Sequence, residues 1–228
     1  MSRRLVIAEK PSVAQAIGRA LGVTARKEGY LEGPDTIISW CIGHLVELAD
    51  AAAYEERYKK WRREDLPILP DKWLYAVRGD KKKQLGILKQ LMTRADVAEV
   101  VNACDAGREG ELIFRLVYEH CCCAKPIQRL WISSMEDAAI REGFANLRPS
   151  AVYDRLYEAA LCRAQADLLV GINATRLLRP LSQNTLNIGR VMTPTLALLT
   201  QPEAALAAFV RVPFSWVPLH LGDFTPVC

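Results

Sequence analysis

Acidic side chains follow two apolar segments of the sequence, at the point where each segment ends. Residues 5–8 are followed by Glu9 and Lys10, and residues 97–104 are followed by Asp105. In open α/β sheets, ligands bind beyond the carboxyl ends of the strands. If the two segments form neighbouring strands, their carboxylates meet there and offer the oxygen ligands that Mg²⁺ prefers.

A third carboxylate, Glu109, lies four residues after Asp105 and next to Arg108. Neighbouring carboxylates repel one another, and a hard cation such as Mg²⁺ that also bridges to a phosphate relieves this repulsion. Lys10 and Arg108 are suited to bind that phosphate. The pattern therefore indicates a metal-dependent reaction at a phosphate group.

A simpler alternative is that Asp105 and Glu109 only stabilise the N-terminus of the helix that follows, where acidic residues are favoured. Spacing alone does not separate the two interpretations. Gly107 and Gly110 favour the functional one, because a close approach of the backbone to a ligand requires residues without a side chain.

Alternating strands and helices are expected to position these residues. The expected strands lie at residues 5–8, 36–42, 97–104 and 128–132, and the expected helices at 11–21, 84–91, 109–120 and 134–147. This order predicts an α/β fold with a mostly parallel sheet. Residues 153–178 and 191–199 show helical patterns, so we expect an α/β domain at 1–150 and a partial, mainly helical domain at 151–228.

The composition is that of an ordinary globular protein: 228 residues, 50% hydrophobic, 25% charged, with a net charge of +4. It argues against disorder, and no apolar run approaches the roughly 20 residues of a membrane helix. Seven cysteines without an export signal suggest a reducing cytoplasm. Three of them are consecutive, at 121–123, and no pair has the C-x-x-C spacing, which argues against a zinc site.

A stretch at residues 54–63 interleaves basic residues with Tyr58 and Trp61. Such a pattern can hold a nucleic-acid backbone and stack its bases. A solvated face with one packed tryptophan explains the stretch equally simply, and on the stretch alone this interpretation is favoured.

Five motifs occur in a recognisable order. They are Ile-Ala-Glu-Lys-Pro-Ser at 7–12, Trp-Cys-Ile-Gly-His-Leu at 40–45, Asp-Ala-Gly-Arg-Glu-Gly-Glu at 105–111, and the segments 163–176 and 188–195. Together they resemble type IA DNA topoisomerases, and above all the bacterial topoisomerase III branch. The resemblance covers nearly the whole chain and implies an N-terminal Toprim domain, a Rossmann-like α/β domain shared with bacterial primases.

The resemblance implies catalytic roles for four residues. Glu9, Asp105 and Glu109 would serve Mg²⁺ binding and acid–base chemistry near the scissile phosphate, and Lys10 would contact that phosphate. Gly107 stands where the family's middle acid is usual, so metal binding is expected to rest mainly on Glu9 and Asp105.

The resemblance also implies contacts with single-stranded DNA. The residues concerned are Arg108, Arg163, Asp167, Arg190 and Thr193. Arg163 would contact a phosphate and Asp167 a base, although their i, i+4 spacing also fits an ordinary surface ion pair. Met192 replaces a usual glutamine, and His44 is interpreted as a core residue in preference to a DNA-contacting one.

The family's nucleophile is a tyrosine that forms a 5′-phosphotyrosyl link, and none of the seven tyrosines here has the family's Tyr-Pro-Arg-Thr-Asp-Ser context. An apolar segment at 208–221 also resembles the beginning of a further strand. We therefore expect the N-terminal part of an enzyme that cuts, passes and reseals single DNA strands with Mg²⁺. A separate tyrosine-bearing part would complete it, without a nucleotide cofactor or a membrane.

The main alternative is a catalytically inactive module that binds single-stranded DNA or a partner. A Toprim-type nuclease or primase agrees less well, because the segments 163–176 and 188–195 belong to the topoisomerase pattern.

Overall fold

The computed structural model of the chain describes residues 2–182 and 186–215. Contacts divide the chain into two compact units, Met1–Asn187 and Ile188–Cys228. The predicted division near residue 150 falls within the first unit and stays a prediction.

The described residues form nine strands and six helices. The strands are β1 (Arg3–Ala8), β2 (Ala25–Lys27), β3 (Tyr30–Glu32), β4 (Thr36–Trp40), β5 (Val46–Leu48), β6 (Tyr75–Val77), β7 (Val97–Ala103), β8 (Ile127–Arg129) and β9 (Arg148–Pro149). The helices are α1 (Pro11–Leu21), α2 (Lys82–Thr93), α3 (Arg108–His120), α4 (Asp137–Ala145), α5 (Asp154–Ser182) and α6 (Met192–Ala207).

Seven strands form the main sheet in the order β2-β3-β4-β1-β7-β8-β9. The central strands β4, β1, β7 and β8 run parallel, and the pairings at both edges are antiparallel. The predicted α/β fold with a mostly parallel sheet is confirmed. Because β1 and β7 are central neighbours, the residues that follow them lie at the same edge of the sheet.

Alternate residues of β1 enter two different cores, as expected for a strand covered on both faces. Leu5 and Ile7 pack with residues of α2, α3 and α5, whereas Val6 and Ala8 pack with residues of α1 and α4. The first unit is therefore a three-layer α/β arrangement. Its two buried layers fix the directions of the strand ends.

The helix that follows β1 begins and ends at residues suited to those positions. Pro11 is the first residue of α1, where its missing N–H costs no hydrogen bond. Gly22 ends the helix with a φ of 72°, in the left-handed region that favours glycine. Glu9 and Lys10 are thereby confined to the short turn between β1 and α1.

Two small features of the fold were not predicted. The hairpin β2–β3 extends one edge of the main sheet, and β5 pairs with β6 in a separate two-stranded sheet. Three short 3₁₀ turns lie between residues 51 and 65. No helix in the described part of the chain has the length and apolar character needed to span a membrane.

The second unit contributes α6, which has no buried residue. Residues 209–215 after it form neither helix nor strand. The rest of the predicted strand at 208–221 lies outside the described residues.

Candidate active site

Glu9 and Asp105 lie together at the carboxyl edge of the sheet, and Lys10 lies between them. Its ammonium nitrogen Nζ is 3.4 Å from Glu9 Oε1 and 3.6 Å from Asp105 Oδ2. The Glu9 side chain is 12% exposed, whereas those of Lys10 and Asp105 are about half exposed. The two carboxylates, Asp105 foremost, raise the pKa of Lys10 above its usual value.

Glu109, in the first turn of α3, has other partners. Its Oε1 lies 3.3 Å from Arg163 Nη1, and its Oε2 lies 3.7 Å from His44 Nε2. Within the described ranges, no group of three or more carboxylate, histidine or cysteine side chains can hold one metal ion. Of the three carboxylates expected to converge, Glu9 and Asp105 thus lie together. The role of Glu109 as a metal ligand stays a prediction.

The interpretation of His44 as a core residue is wrong. Its side chain is 35% exposed and faces Glu109. The loop that carries it is fixed by Lys81, whose ammonium group donates to the carbonyl oxygens of Ile42 and His44 at 2.7 and 3.1 Å. A histidine within an apolar motif gave no sign of this exposure.

The pair formed by Glu9 and Asp105 fits a divalent cation. One ammonium group contacts both carboxylates, so their oxygen atoms face a common point that a cation can occupy. Mg²⁺ is commonly held by one or two carboxylates, with water completing its coordination. The replacement of the middle acid by Gly107 leaves space on that side, since a Cβ added there meets no atom within 4 Å.

The two glycines of the motif do not serve the purpose expected of them. Gly107 has a φ of 173°, extended backbone that any residue adopts, and open space around it. Gly110 is buried, and a Cβ there would lie 2.1 Å from the carbonyl oxygen of Asp105. The close approach at Gly110 is therefore between two parts of the protein backbone.

The helix-cap alternative for Asp105 does not hold. The N-cap residue of α3 is Gly107, and no side chain caps this end of the helix. Glu109 does occupy the first turn, where the helix dipole favours an acid, but its carboxylate is also paired with Arg163.

Arg163 and Asp167 share one face of α5, and the predicted ion pair is confirmed at 3.7 Å between Arg163 Nε and Asp167 Oδ2. Because Arg163 also contacts Glu109, α5 adds a partly exposed guanidinium group beside the start of α3. Arg108, the first residue of α3, is exposed. Basic side chains thus lie near the carboxylates, as a phosphate-binding site requires.

Arg190 and Thr193 belong to the second unit. Thr193 lies in the first turn of α6, and its Oγ1 accepts a hydrogen bond from the backbone N–H of Gly189 at 3.1 Å. Arg190 and Met192 are exposed. The predicted DNA contacts of Arg190 and Thr193 stay predictions.

The basic and aromatic stretch at 54–63 agrees with its simpler interpretation only in part, because the packed aromatic residue is Tyr58 and not Trp61. Tyr58 is buried, and the guanidinium groups of Arg176 and Arg179 in α5 lie 5.1 and 4.8 Å from the Trp61 ring centroid. Lys59 pairs with Glu56, three residues before it. Tyr58 therefore packs in the protein, Trp61 is 36% exposed beside two arginines, and part of the basic charge is neutralised locally.

A buried polar group beside the site was missed by sequence reasoning. Arg129, at the end of β8, and Glu111, in α3, are both fully buried, with Arg129 Nε 2.6 Å from Glu111 Oε1. Arg129 also donates to the backbone carbonyl of Asp105. A single arginine in a short strand has no distinguishing sequence pattern. The only sign of its burial was that apolar residues flank it.

Two family models match the chain. One, described as a Toprim domain, matches residues 4–135, and the other, described as a DNA topoisomerase, matches residues 151–225. The chain belongs to the type IA DNA topoisomerases. The family resemblance expected from the five motifs is confirmed, as is the Toprim domain.

The relatives are topoisomerases of the topoisomerase III branch. DNA topoisomerase 3 of Bacillus subtilis (strain 168) is 48% identical over 225 residues, which is 99% of this chain and 31% of that protein. The Shouchella clausii DNA topoisomerase 3 is 46% identical over 223 residues, again 31% of its length. This topoisomerase chain therefore spans about a third of the length of the relatives it matches.

A solved structure of full-length topoisomerase I from Thermotoga maritima has the same fold. The TM-score is 0.65 at 23% identity, and the match covers 90% of this topoisomerase chain and 31% of the other. The Toprim domains of topoisomerases bind a divalent metal, in agreement with the carboxylate pair formed by Glu9 and Asp105.

Proposed function

We propose that this chain supplies the metal and phosphate side of a topoisomerase III-like active site, as the N-terminal part of an enzyme that cuts, passes and reseals single DNA strands. The observation that carries the proposal is the meeting of Glu9 and Asp105 at one ammonium group, beyond two adjacent parallel strands. The family membership of the chain gives this arrangement its chemical meaning.

In the proposal, Glu9 and Asp105 hold Mg²⁺, and Glu109 assists from the first turn of α3. When bound, the ion supplies positive charge next to the scissile phosphate. Lys10 binds the phosphate through its ammonium group, which exchanges its two carboxylate contacts for a phosphate oxygen. The Glu9 carboxylate is only 12% exposed and contacts Lys10, so it lies shielded from solvent beside the proposed phosphate position, where it would hold or move a proton at the reacting oxygen.

The single DNA strand is bound by the residues that the family pattern assigns to it: Arg108, Arg163, Asp167, Arg190 and Thr193. Arg163 is suited to this task because its guanidinium group is 35% exposed and lies between two carboxylates, at 3.3 and 3.7 Å. A phosphate replaces these contacts of Arg163, and Asp167 accepts a hydrogen bond from a base.

The attacking tyrosine is proposed to come from another part of the enzyme. Tyr153 is buried, and Tyr157 donates a hydrogen bond to Glu119 at 3.1 Å. Burial raises the pKa of Tyr157, which disfavours the phenolate form that a nucleophile needs. These two side chains serve packing, in agreement with the absence of the family's tyrosine motif from the sequence.

The proposal is tested by replacing Asp105 with Asn and measuring Mg²⁺ binding by calorimetry. The substitution removes one of two charged ligands and keeps the side-chain shape, so the dissociation constant should rise about tenfold or more. Asp71→Asn, at an exposed position, is the matched control and should leave the affinity unchanged. Equal affinities for wild type and Asp105→Asn would remove Asp105 from the metal site and contradict the proposal.

A further inference from the structure

The buried side chain of Arg129 donates hydrogen bonds to the backbone of the segment that carries Asp105. Arg129 Nη1 donates to the carbonyl oxygens of Cys104 and Asn102 at 2.7 and 3.1 Å, and its Nη2 donates to that of Asp105 at 2.8 Å. These carbonyls lie at or just beyond the end of β7. The Asn102 carbonyl also accepts from the backbone N–H of Leu130 at 2.9 Å, whereas the Cys104 and Asp105 carbonyls lie beyond the last residue of β7 and are bound by the guanidinium group.

The guanidinium group is itself tightly fixed. Its Nε forms an ion pair with Glu111 Oε1 at 2.6 Å, although the Nε–H itself has no hydrogen-bond partner in the described part of the chain, and the same oxygen accepts from Asn102 Nδ2 at 3.0 Å. Arg115 Nε donates to the other oxygen, Glu111 Oε2, at 3.3 Å. On its remaining side Arg129 lies 5.0 Å from the centroid of the Trp131 ring. A planar group with charge-assisted contacts along its edge and an aromatic ring on its face has little freedom.

The network joins the two elements that carry the acidic motif. Asn102 belongs to β7, and Glu111 belongs to α3, whose Gly110 packs on the carbonyl of Asp105. Asn102 Oδ1 also accepts from the backbone N–H of Cys104 at 3.0 Å. The backbone on both sides of Asp105 is thus fixed by buried contacts, although the Asp105 side chain itself is half exposed.

A buried ion pair is costly, and apolar residues of similar volume often stabilise a fold as well or better. Burial lowers the pKa of the Arg129 guanidinium group, and the nearby Glu111 carboxylate partly offsets this lowering. Stability alone therefore gives a weak reason for this arrangement. Fixing the backbone of a metal-binding carboxylate gives a stronger one, because partners outside the ligands commonly set metal affinity.

We propose that Arg129 is a positioning residue for the metal site: through the Cys104 and Asp105 carbonyls it holds the Asp105 carboxylate in register with Glu9. The metal-related part of this inference rests on the proposed function. The backbone part does not, because the contacts exist without a metal ion. The two parts are therefore separable by experiment.

The test compares two double variants, R129M/E111Q and R115M/E111Q. Each removes one arginine together with the Glu111 charge. The control, R115M/E111Q, keeps the buried Arg129 without its carboxylate partner, but the guanidinium group still donates to the backbone carbonyls of Asn102, Cys104, Asp105 and Leu130. Only the first removes the donors to the Cys104 and Asp105 carbonyls. Arg115 also contacts Ser150 O and Asp154, both at 2.8 Å, and lies 5.4 Å from the Tyr157 ring centroid. Urea unfolding establishes that both variants are folded before they are compared.

The first measurement is amide hydrogen exchange without metal. In R129M/E111Q, exchange in the segment 104–110 should accelerate on the order of tenfold more than in R115M/E111Q, because the lost hydrogen bonds permit local opening. The second measurement is Mg²⁺ calorimetry, in which R129M/E111Q should bind roughly 10- to 100-fold more weakly than R115M/E111Q.

Equal exchange in the two variants would overturn the positioning role and reduce Arg129 to a core stabiliser. Faster exchange with unchanged Mg²⁺ affinity would overturn its connection to the metal site. If wild type binds no Mg²⁺, the proposed function fails, and the exchange measurement still decides whether Arg129 positions Asp105. Should R129M/E111Q not fold, R129K answers the same question, because it keeps a positive charge beside Glu111 but cannot donate to all the carbonyls.

Discussion

At the scale of single residues, Lys10 controls the state of the carboxylate pair. Two carboxylates that face a common point repel each other, and the ammonium group between them relieves this repulsion. The contact is half exposed, so it contributes little to the stability of the fold. Such a contact is easily exchanged, since a divalent cation competes for the carboxylates and a phosphate competes for the ammonium group.

This competition predicts opposite effects of Lys10→Gln on two ligands. Mg²⁺ binding should strengthen about three- to tenfold, because the cation no longer displaces an ammonium group from Glu9 and Asp105. Binding of a single-stranded oligonucleotide should weaken, because a phosphate contact is lost. Calorimetry measures the first effect and fluorescence anisotropy the second.

Lys59→Gln provides the matched control, since Lys59 is an exposed lysine paired with a glutamate outside the site. It should change neither affinity. Weaker Mg²⁺ binding by Lys10→Gln than by wild type would show that Lys10 supports the metal site rather than competing for it.

At the scale of elements, the seating of α3 on the end of β7 decides where the acidic motif lies. Gly110 is buried in the first turn of α3 and contacts the Asp105 backbone, whose position cannot yield as a flexible side chain could. The backbone N–H of Glu111 donates to Gly107 O at 3.2 Å, so the helix begins immediately after this contact. The close approach therefore sets the distance between helix and strand.

Gly110→Ala should consequently destabilise the protein. A Cβ 2.1 Å from a carbonyl oxygen forces α3 away from β7, and overpacking of this kind costs about 1–3 kcal/mol of unfolding free energy. Gly107→Ala is the control, because its extended backbone and open surroundings should keep the change within about 0.5 kcal/mol. Urea unfolding measures both, and equal losses would contradict the packing role of Gly110.

The elements also explain which parts could be predicted from sequence. The long apolar strands β1 and β7 end at carboxylates, so the meeting of Glu9 with Asp105 could be predicted on the condition that the two strands are neighbours. The pattern of each strand does not encode that adjacency, which the structure supplies. The three-residue strands β2, β3, β5 and β6 are too short to display a period. The partners of Arg129 and the turn of His44 toward Glu109 depend on contacts between distant segments, which no local pattern encodes.

At the scale of the whole molecule, the net charge is too small to account for DNA binding, so the positions of individual basic residues matter. A net charge of +4 over 228 residues is a small excess and gives only weak general attraction to a polyanion. Much of the basic charge is also paired: Arg3, Arg4 and Arg94, for example, contact carboxylates within the first unit. Affinity for DNA must therefore come from a few cations at defined positions.

The salt dependence of the DNA affinity measures how many of these cations contact phosphates. If Lys10, Arg108, Arg163 and Arg190 each contact a phosphate of single-stranded DNA, log K should fall against log salt concentration with a slope of about −3. Anisotropy titrations with an oligo(dT) of about 20 nucleotides measure this slope. Arg163→Gln and Arg190→Gln should each weaken binding and reduce the slope by about 0.7.

Arg26→Gln, in the exposed strand β2, is the control and should leave the slope unchanged. Because Arg163 and Arg190 belong to different units, the two variants also determine which units bind the strand. A reduced slope for Arg163→Gln alone would confine the contacts to the first unit and remove Arg190 from the proposed set. The same reduction for all three variants would mean that the chain attracts DNA through its overall charge, and the specific single-strand site proposed for it would be wrong.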